Sequence, residues 1–225
     1  MYDRSFDELR TGFTAAVSHE LRTPLARILA LLDSADLPGA DVQGLIDQAR
    51  AEVENAGVLI DEILFLSELE SGKEVVSLGH TVALPVLEEV ARGLEDASAR
   101  AGVAVTVTGD ASVEVPLRPR MLKVIAENLA ENAIRYAGHG AQFTLDVQRA
   151  GDFAVLTAAD DGIGVPTETL PRLFERFYRA DSARTSRGTG LGLAIVKHVV
   201  AAAGGEIEAN GDVGRGLRIR ATFPA

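Results

Sequence analysis

The sequence contains no cysteine, fewer basic than acidic residues, and no long hydrophobic run. Without cysteine, a disulfide framework, thiolate catalysis and a cysteine metal site are all excluded, and the chain is compatible with a reducing compartment. Lys+Arg 22 against Asp+Glu 33 give a formal net charge of −11, which repels a nucleic-acid backbone. The longest apolar stretches, residues 28–32 and 199–203, are far shorter than the ~20 residues of a membrane helix. Nucleic-acid binding and a membrane span within this sequence are therefore disfavoured.

Two stretches near the N-terminus carry an apolar residue every three or four positions, as one face of a helix requires. Turn-forming residues 34–40 separate them, and Asp41 is placed to cap the second helix. The pattern predicts an antiparallel helical hairpin. One hairpin has too little apolar surface to fold alone, so we expect two copies to form a dimeric four-helix bundle. The two apolar stripes are Phe6, Leu9, Phe13, Ala16, Leu21, Pro24, Ile28 and Leu31, and then Leu45, Ala49, Val53, Ala56, Ile60, Ile63 and Leu66.

The rest of the chain has a mixed helix and strand pattern. Its 225 residues, 47% of them hydrophobic, are enough for two modest domains. Helices are predicted at 85–100, 119–137 and 191–203, and strands at 103–107, 143–147, 153–158, 206–209 and 217–223, which indicates a two-layer α/β sandwich. The predicted fold is therefore multi-domain, with a hairpin domain at 1–72, a linker at 73–81 and an α/β domain at 82–225.

The segment Ser-His-Glu-Leu-Arg-Thr-Pro at residues 18–24 places an imidazole beside a carboxylate on the first helix. His19 falls beside the apolar stripe, so its ring can reach solvent. Glu20 is placed to orient the ring or accept its second proton, and Thr23 lies one turn further along the same face. Pro24 lacks an N–H and is expected to bend or loosen the helix. Taken without the surrounding motif, His19 would be read as an ordinary exposed histidine.

Residues 127–136 give the predicted helix at 119–137 a polar face. Asn128, Asn132 and Arg135 share it, because four and three residues separate them. Amide oxygens suit the hard-oxygen preference of Mg²⁺, and Arg135 can neutralise phosphate charge. Tyr136 can pack against adenine or ribose.

An acidic and glycine-rich motif, Asp-Asp-Gly-Ile-Gly at residues 160–164, directly follows an apolar strand. A carboxylate at the end of that strand can accept a hydrogen bond from the amino group of adenine. Gly162 and Gly164 allow the backbone to approach the base. Asp-Gly is also common in turns, so this motif is weak on its own.

Two further motifs lie downstream of the acidic one. In residues 173–179, Phe174 and Phe177 are expected to anchor a segment to the core, while Arg176 and Arg179 are candidates for contacting phosphate or for docking against the hairpin. Residues 188–192 then open a helix whose free N–H groups can receive a polyphosphate. A dinucleotide-binding fingerprint is disfavoured there because the preceding polar residues 180–187 do not form a strand; they are expected to form a flexible lid over ATP. The helix-opening residues are Gly188, Thr189, Gly190, Leu191 and Gly192.

Together these five motifs, in this order, resemble the catalytic core of the sensor histidine kinases. The resemblance covers nearly the whole chain and implies a Bergerat-type ATP-binding domain after the hairpin. It implies ATP and Mg²⁺ as cofactors, His19 as the phosphorylated residue, Asp160 as the adenine reader, and a phosphatase role for Thr23. The histidine motif distinguishes this family from other ATPases of the superfamily, such as gyrase. Arg135 stands where lysine is frequent.

The expected function is ATP-dependent autophosphorylation of His19 and transfer of the phosphate to an aspartate of a response regulator, together with phosphatase activity toward that regulator. The expected assembly is a homodimer. We expect this part of the protein to be cytoplasmic and to follow a membrane-anchored sensor region. Two alternatives stay open from sequence alone, namely a regulator-docking phosphatase with weak kinase activity and an ATP-driven clamp that never phosphorylates itself.

Overall fold

The computed structural model describes residues 3–71, 79–179 and 188–224, with side chains described from residue 16 onward. The chain divides into two compact units, Met1–Ser67 and Glu68–Ala225. In the described part of the chain, no helix is long and apolar enough to cross a membrane.

The first unit is a pair of long helices, as the periodicity predicts. Helix α1 spans Asp3–Ala35 and continues through Pro24, and helix α2 spans Val42–Glu70, of which residues 68–70 belong to the second unit. Asp41 caps α2 by accepting the Gly44 N–H at 3.1 Å. The same carboxylate occupies the space beside Gly44, which gives a reason for glycine in this first turn.

Large apolar side chains of the two helices remain exposed in the single chain. Leu29, for example, is 62% exposed. Burying such side chains is worth roughly 1.5–3 kcal/mol each, so this surface favours a second copy. The exposed members on the helices are Leu25, Leu29, Leu32, Val42, Val53, Val58, Ile60 and Leu64, and Leu37 is exposed in the turn between them.

The second unit is an α/β sandwich built on a five-stranded sheet of order β2-β4-β5-β7-β6. Its strands are β2 (Ala104–Gly109), β4 (Gln142–Ala150), β5 (Phe153–Asp160), β6 (Glu206–Gly211) and β7 (Leu217–Pro224). Strand β2 is parallel to β4, and the other neighbours are antiparallel, with Ala158 opposite Ile219. A separate small ribbon pairs β1 (Thr81–Val82) with β3 (Glu114–Val115).

Helices cover one face of the main sheet. They are α3 (Ala83–Gly93), α4 (Glu95–Ala101), α5 (Pro119–Tyr136) and α6 (Gly192–Ala202), and a short 3-10 helix spans Thr167–Arg172. Strand β7 alternates buried Ile219 and Phe223 with exposed Arg218 and Arg220, as a sheet with one covered face requires. The two-layer prediction is therefore confirmed.

The structure differs from the sequence prediction between residues 85 and 100. The single predicted helix is two helices, α3 and α4, separated at Leu94. Glycine at position 93 lowers helix propensity there, and the apolar periodicity on either side does not reveal the break. The β1–β3 ribbon was not predicted because two-residue strands are too short to show alternation.

Candidate nucleotide and phosphoacceptor sites

His19 lies on the exposed side of α1, with three quarters of its side chain accessible to solvent. Its Nδ1 is 3.4 Å from Oε1 of Glu20, and the Thr23 hydroxyl donates to the His19 carbonyl oxygen at 3.4 Å, one turn away. Because Glu20 faces Nδ1, a proton held there leaves the lone pair of Nε2 for attack on an electrophile. The structure therefore brings the three predicted residues of this helix together at one accessible position.

Helix α5 fixes the orientation of Asn128. Its buried face, including Ile125 and Leu129, holds the helix against the sheet, while Asn128 and Asn132 are half-buried at the margin. The Asn128 amide nitrogen donates to the Val124 carbonyl oxygen at 2.8 Å, so its carbonyl oxygen points the other way.

The Asn128 oxygen faces the first residue of helix α6. A Cβ at Gly192 would lie 3.4 Å from Asn128 Cγ and closer still to its oxygen. Within the described ranges, no group of three or more histidine and carboxylate side chains is placed to hold a metal. Amide oxygens such as that of Asn128 fit the ligand preference of Mg²⁺.

Asn132 and Asp160 line one small hollow between α5 and the sheet. Its other lining residues are apolar: Leu129, Ala133, Phe143, Ala158, Leu217 and Ile219. Asp161 takes a different role, accepting the Gln142 N–H at 2.7 Å, which fixes the end of β5 against β4. The structure thus places Asp160, and not Asp161, in a hollow that is lined by apolar residues apart from Asp160 and Asn132.

Two backbone N–H groups hold the Asp160 carboxylate. Gly162 donates to its Oδ1 at 2.9 Å and Leu217 donates to the same atom at 3.3 Å. Burial raises the pKa of Asp160 above its ordinary value; these two donors act in the opposite direction, and the neighbouring Asp161 charge adds to the rise. A half-buried carboxylate with one oxygen fixed is suited to accepting a hydrogen bond from an exocyclic amino group.

Both glycines of the acidic motif are required by close backbone approach. A Cβ on Gly162 would lie 2.6 Å from the Ala137 carbonyl carbon, at the end of α5. Gly164 has φ +63°, and its Cβ would lie 2.9 Å from the Gly216 oxygen. Neither space accommodates a side chain, so the chain here passes directly against α5 and the turn before β7.

Arg135 and Tyr136 lie against the start of the glycine-rich segment. A Cβ on Gly188 would be 2.6 Å from the Tyr136 hydroxyl and 3.0 Å from Arg135 Nη1. Arg135 is exposed and Tyr136 half-buried. The polar face of α5 and the segment from Gly188 therefore meet, as a phosphate site drawn from both would require.

The segment at 173–179 is tied to the glycine-rich segment through the backbone. Phe177 donates its N–H to the Gly190 carbonyl oxygen at 2.9 Å, and Phe177 and Gly190 both have positive φ, +59° and +72°. Arg176 forms an ion pair with Glu70 within the second unit, and Arg179 is half-buried. The phosphate-contact prediction for these arginines stays a prediction.

Helix α6 begins where the sequence predicts a phosphate-binding start. The Thr189 hydroxyl accepts the Leu191 N–H at 3.2 Å, and Leu191 is fully buried, so the first turn is anchored just before Gly192. The free N–H groups of such a turn favour an anion. The predicted lid at 180–187 lies outside the described residues.

Sequence reasoning missed the turn between β6 and β7. This turn supplies the Leu217 N–H to Asp160, although 57 positions separate the two residues. The only local signal is the Gly-Arg-Gly run at 214–216 before an apolar strand. Nothing in it indicates which loop the turn contacts.

Two family models match the chain in this order. The His Kinase A (phospho-acceptor) domain matches residues 9–72, and the Histidine kinase-, DNA gyrase B-, and HSP90-like ATPase matches residues 118–225. The first contains His19 and the second contains Asn132 and Asp160.

Curated relatives are similar over nearly the whole chain. The sensor-like histidine kinase SenX3 of Mycobacterium tuberculosis is 32% identical over 96% of this chain and 54% of its own length. The sensor histidine kinase WalK of Bacillus subtilis is 29% identical over 97% of this chain and 37% of its own. The chain thus spans about half the length of SenX3, or less in the case of WalK.

Solved structures share the fold. The histidine kinase AdeS of Acinetobacter baumannii aligns with a TM-score of 0.74 at 24% identity, covering 92% of this chain and 97% of that one. The histidine kinase ThkA, in complex with the response regulator protein TrrA, aligns with a TM-score of 0.77 at 20% identity, covering 98% of this chain and 63% of that one. Because the phosphoacceptor hairpin and the ATPase domain are both matched, the chain belongs to the sensor histidine kinase family and corresponds to the catalytic core of such a kinase.

Proposed function

We propose that this chain binds ATP in its second unit and transfers the γ-phosphoryl group to His19, as the core of a two-component signalling kinase. The observation that carries the proposal is that one chain contains both sites. The hollow holding Asn132 and Asp160 occurs in the same chain as an accessible histidine paired with a carboxylate. An ATPase domain alone would account for only the first of these.

Each part of the nucleotide has a candidate partner. Asp160 would accept a hydrogen bond from the adenine amino group, while Gly162 and Gly164 let the loop that follows it pack against Ala137 and Gly216. Arg135 would neutralise charge on the phosphates, and Tyr136 would pack against the base or the ribose. The start of α6, from Gly188 through Thr189, Gly190 and Leu191 to Gly192, would receive the polyphosphate through backbone N–H groups.

Asn128 and Asn132 would hold Mg²⁺ through their amide oxygens, and the hydrogen bond of the Asn128 nitrogen to Val124 leaves the Asn128 oxygen available at the start of α6. When bound, this ion supplies charge neutralisation to the phosphates. The chain itself supplies positioning, since the hydrogen bond to Val124 and the packing of α5 keep the amide in one orientation.

The transfer step uses the neutral imidazole of His19. Its Nε2 lone pair forms a bond to the γ-phosphorus while the bond from that phosphorus to the β,γ-bridging oxygen breaks, and ADP leaves with the electron pair. Nδ1 keeps its proton, which Glu20 holds by accepting a hydrogen bond. The product is a phosphohistidine with an intact nucleoside diphosphate.

An acidic residue of a response regulator would then take the phosphoryl group from His19. ThkA, which shares this fold, is seen in complex with a response regulator.

We further propose that the exposed apolar side chains of α1 and α2 pair two chains in a four-helix bundle, and that Thr23 positions a water when the regulator is dephosphorylated. We propose a hairpin domain at 1–72, a linker at 73–81 and an ATP-binding domain at 82–225. We also propose that this core lies in the cytoplasm and follows a membrane-anchored sensor region.

Single-turnover chemistry tests this function. The 225-residue chain is mixed with less than one equivalent of ATP and Mg²⁺, and ADP and protein-bound phosphate are measured together. Equal amounts of both are expected in the wild type and in His80→Ala, which removes an exposed histidine outside the motif, and neither is expected in His19→Ala. ADP formed without bound phosphate would instead indicate an ATP-driven clamp.

A further inference from the structure

The turn between β6 and β7, residues 212–216, packs against the acidic motif through glycines. Gly216 is buried with φ +74°. A Cβ there would lie 2.6 Å from the carbonyl carbon of Asp160 and 2.9 Å from Cα of Asp161, inside the 3.0 Å that Cβ contacts keep. Position 216 therefore admits only glycine while Asp160 keeps its place.

The residue after Gly216 contacts the functional carboxylate directly. Leu217 donates its N–H to Asp160 Oδ1 at 3.3 Å, and its side chain lines the same hollow as Asp160 and Asn132. Any shift of Gly216 moves this donor, because the two residues share a peptide bond. The turn therefore controls both the backbone position and one hydrogen bond of Asp160.

Other contacts hold the turn to the loop after β5. Gly214 donates its N–H to the Ile163 carbonyl oxygen at 2.8 Å, and the Asp212 carboxylate accepts the Val213 N–H at 2.8 Å and the Thr167 hydroxyl at 3.4 Å. The turn and the acidic motif thus form one structure assembled from distant parts of the sequence.

We propose that Gly216 is a positioning residue for adenine recognition, acting by allowing the β6–β7 turn to fix the Asp160 carboxylate. The inference rests on the proposed ATP-binding function and adds a determinant of base specificity outside the five motifs. Because Asp160 would recognise the 6-amino group, displacement of its carboxylate should weaken ATP more than ITP, which carries oxygen at that position.

The chain offers a matched pair of variants. Gly214 and Gly216 lie in one turn with the same φ of +74°, but a Cβ on Gly214 would meet no described residue within 4 Å. Alanine at either position brings the same backbone strain. Only Gly216→Ala also clashes with the backbone of Asp160.

Dissociation constants for ATP and ITP are measured by displacement of a fluorescent nucleotide, below the melting temperature of each variant. We expect Gly214→Ala to stay within about twofold of wild type. Gly216→Ala should lose roughly tenfold or more in ATP affinity, the effect of disturbing a hydrogen bond to a charged acceptor, with ITP nearly unchanged. Adding Gly216→Ala to Asp160→Asn should cause little further loss.

A second variant covers the case in which Gly216→Ala fails to fold. Asp212→Ala removes an exposed carboxylate that accepts two hydrogen bonds at the turn, from the Val213 N–H and the Thr167 hydroxyl. The turn is then held less firmly but is not blocked, so the ATP-to-ITP preference should fall in the same direction by only about threefold, at the low end of what hydrogen bonds contribute. The proposal would be overturned if Gly214→Ala and Gly216→Ala changed ATP affinity equally, or if Gly216→Ala weakened ATP and ITP equally. Absence of ATP binding by the wild type would instead contradict the proposed function.

Discussion

Replacing Gly192 with alanine separates folding from nucleotide binding. Gly192 opens α6 with ordinary backbone angles, so alanine should improve helix propensity by up to about 1 kcal/mol. Its methyl group would, however, lie inside normal contact distance of the Asn128 amide oxygen. Because buried Leu191 and Ala194 anchor the first turn of α6, the Asn128 side chain is the part that yields.

Rotation of Asn128 costs its hydrogen bond to Val124, about 0.5–1.5 kcal/mol. This loss and the gain in propensity are similar in size, so we expect the melting temperature to change little. The displaced oxygen no longer reaches a cation at its former position, so ATP affinity in Mg²⁺ should fall roughly tenfold, which corresponds to about 1.4 kcal/mol.

Titration calorimetry with ATP, in Mg²⁺ and again in EDTA, measures the effect. The loss should vanish in EDTA if Asn128 acts through the metal. Gly93→Ala is the control, since among the residues that the structure describes nothing lies within 4 Å of its Cβ position. A folded Gly192→Ala protein that binds Mg·ATP like the wild type would refute the assigned role of the Asn128 oxygen.

Two further predictions concern stability. Gly57 lies in the interior of α2, where a Cβ would meet no other side chain or element of the described structure within 4 Å. Gly57→Ala should therefore stabilise the hairpin by up to about 1 kcal/mol and raise its melting temperature, and a decrease would indicate that a second copy approaches closely there. Thr81→Val should destabilise the second unit by about 1–3 kcal/mol in calorimetry, because the buried Leu117 carbonyl loses its 2.5 Å hydrogen bond from the Thr81 hydroxyl. An unchanged melting transition would show that another donor replaces it.

The sequence predicted those features that depend on local pattern. Helical periodicity gave α1, α2 and α5, and the spacing of Asn128, Asn132 and Arg135 correctly placed them on one side of α5. The break at Leu94 was missed because a glycine between two well-patterned segments does not distinguish a bend from a continuous helix.

The contacts between distant segments could not be predicted in this way. The orientation of the Asn128 amide depends on a bond to Val124 and on the space left by Gly192, and the Asp160 carboxylate depends on a turn more than fifty residues later. Each is set by the three-dimensional arrangement of the sheet and helices, and periodicity carries no information about it. A glycine with positive φ such as Gly216 is recognisable only when its neighbour in space is known.

The proposed kinase reaction leaves phosphate from ATP bonded to a ring nitrogen of His19. Peptide mapping by mass spectrometry at alkaline pH, after incubation with ATP and Mg²⁺, tests it most directly. The account predicts one phosphoryl group on the peptide containing His19, lost on acid treatment and absent from His19→Ala. Phosphate on another residue, or nucleotide turnover without any phosphorylated peptide, would contradict it.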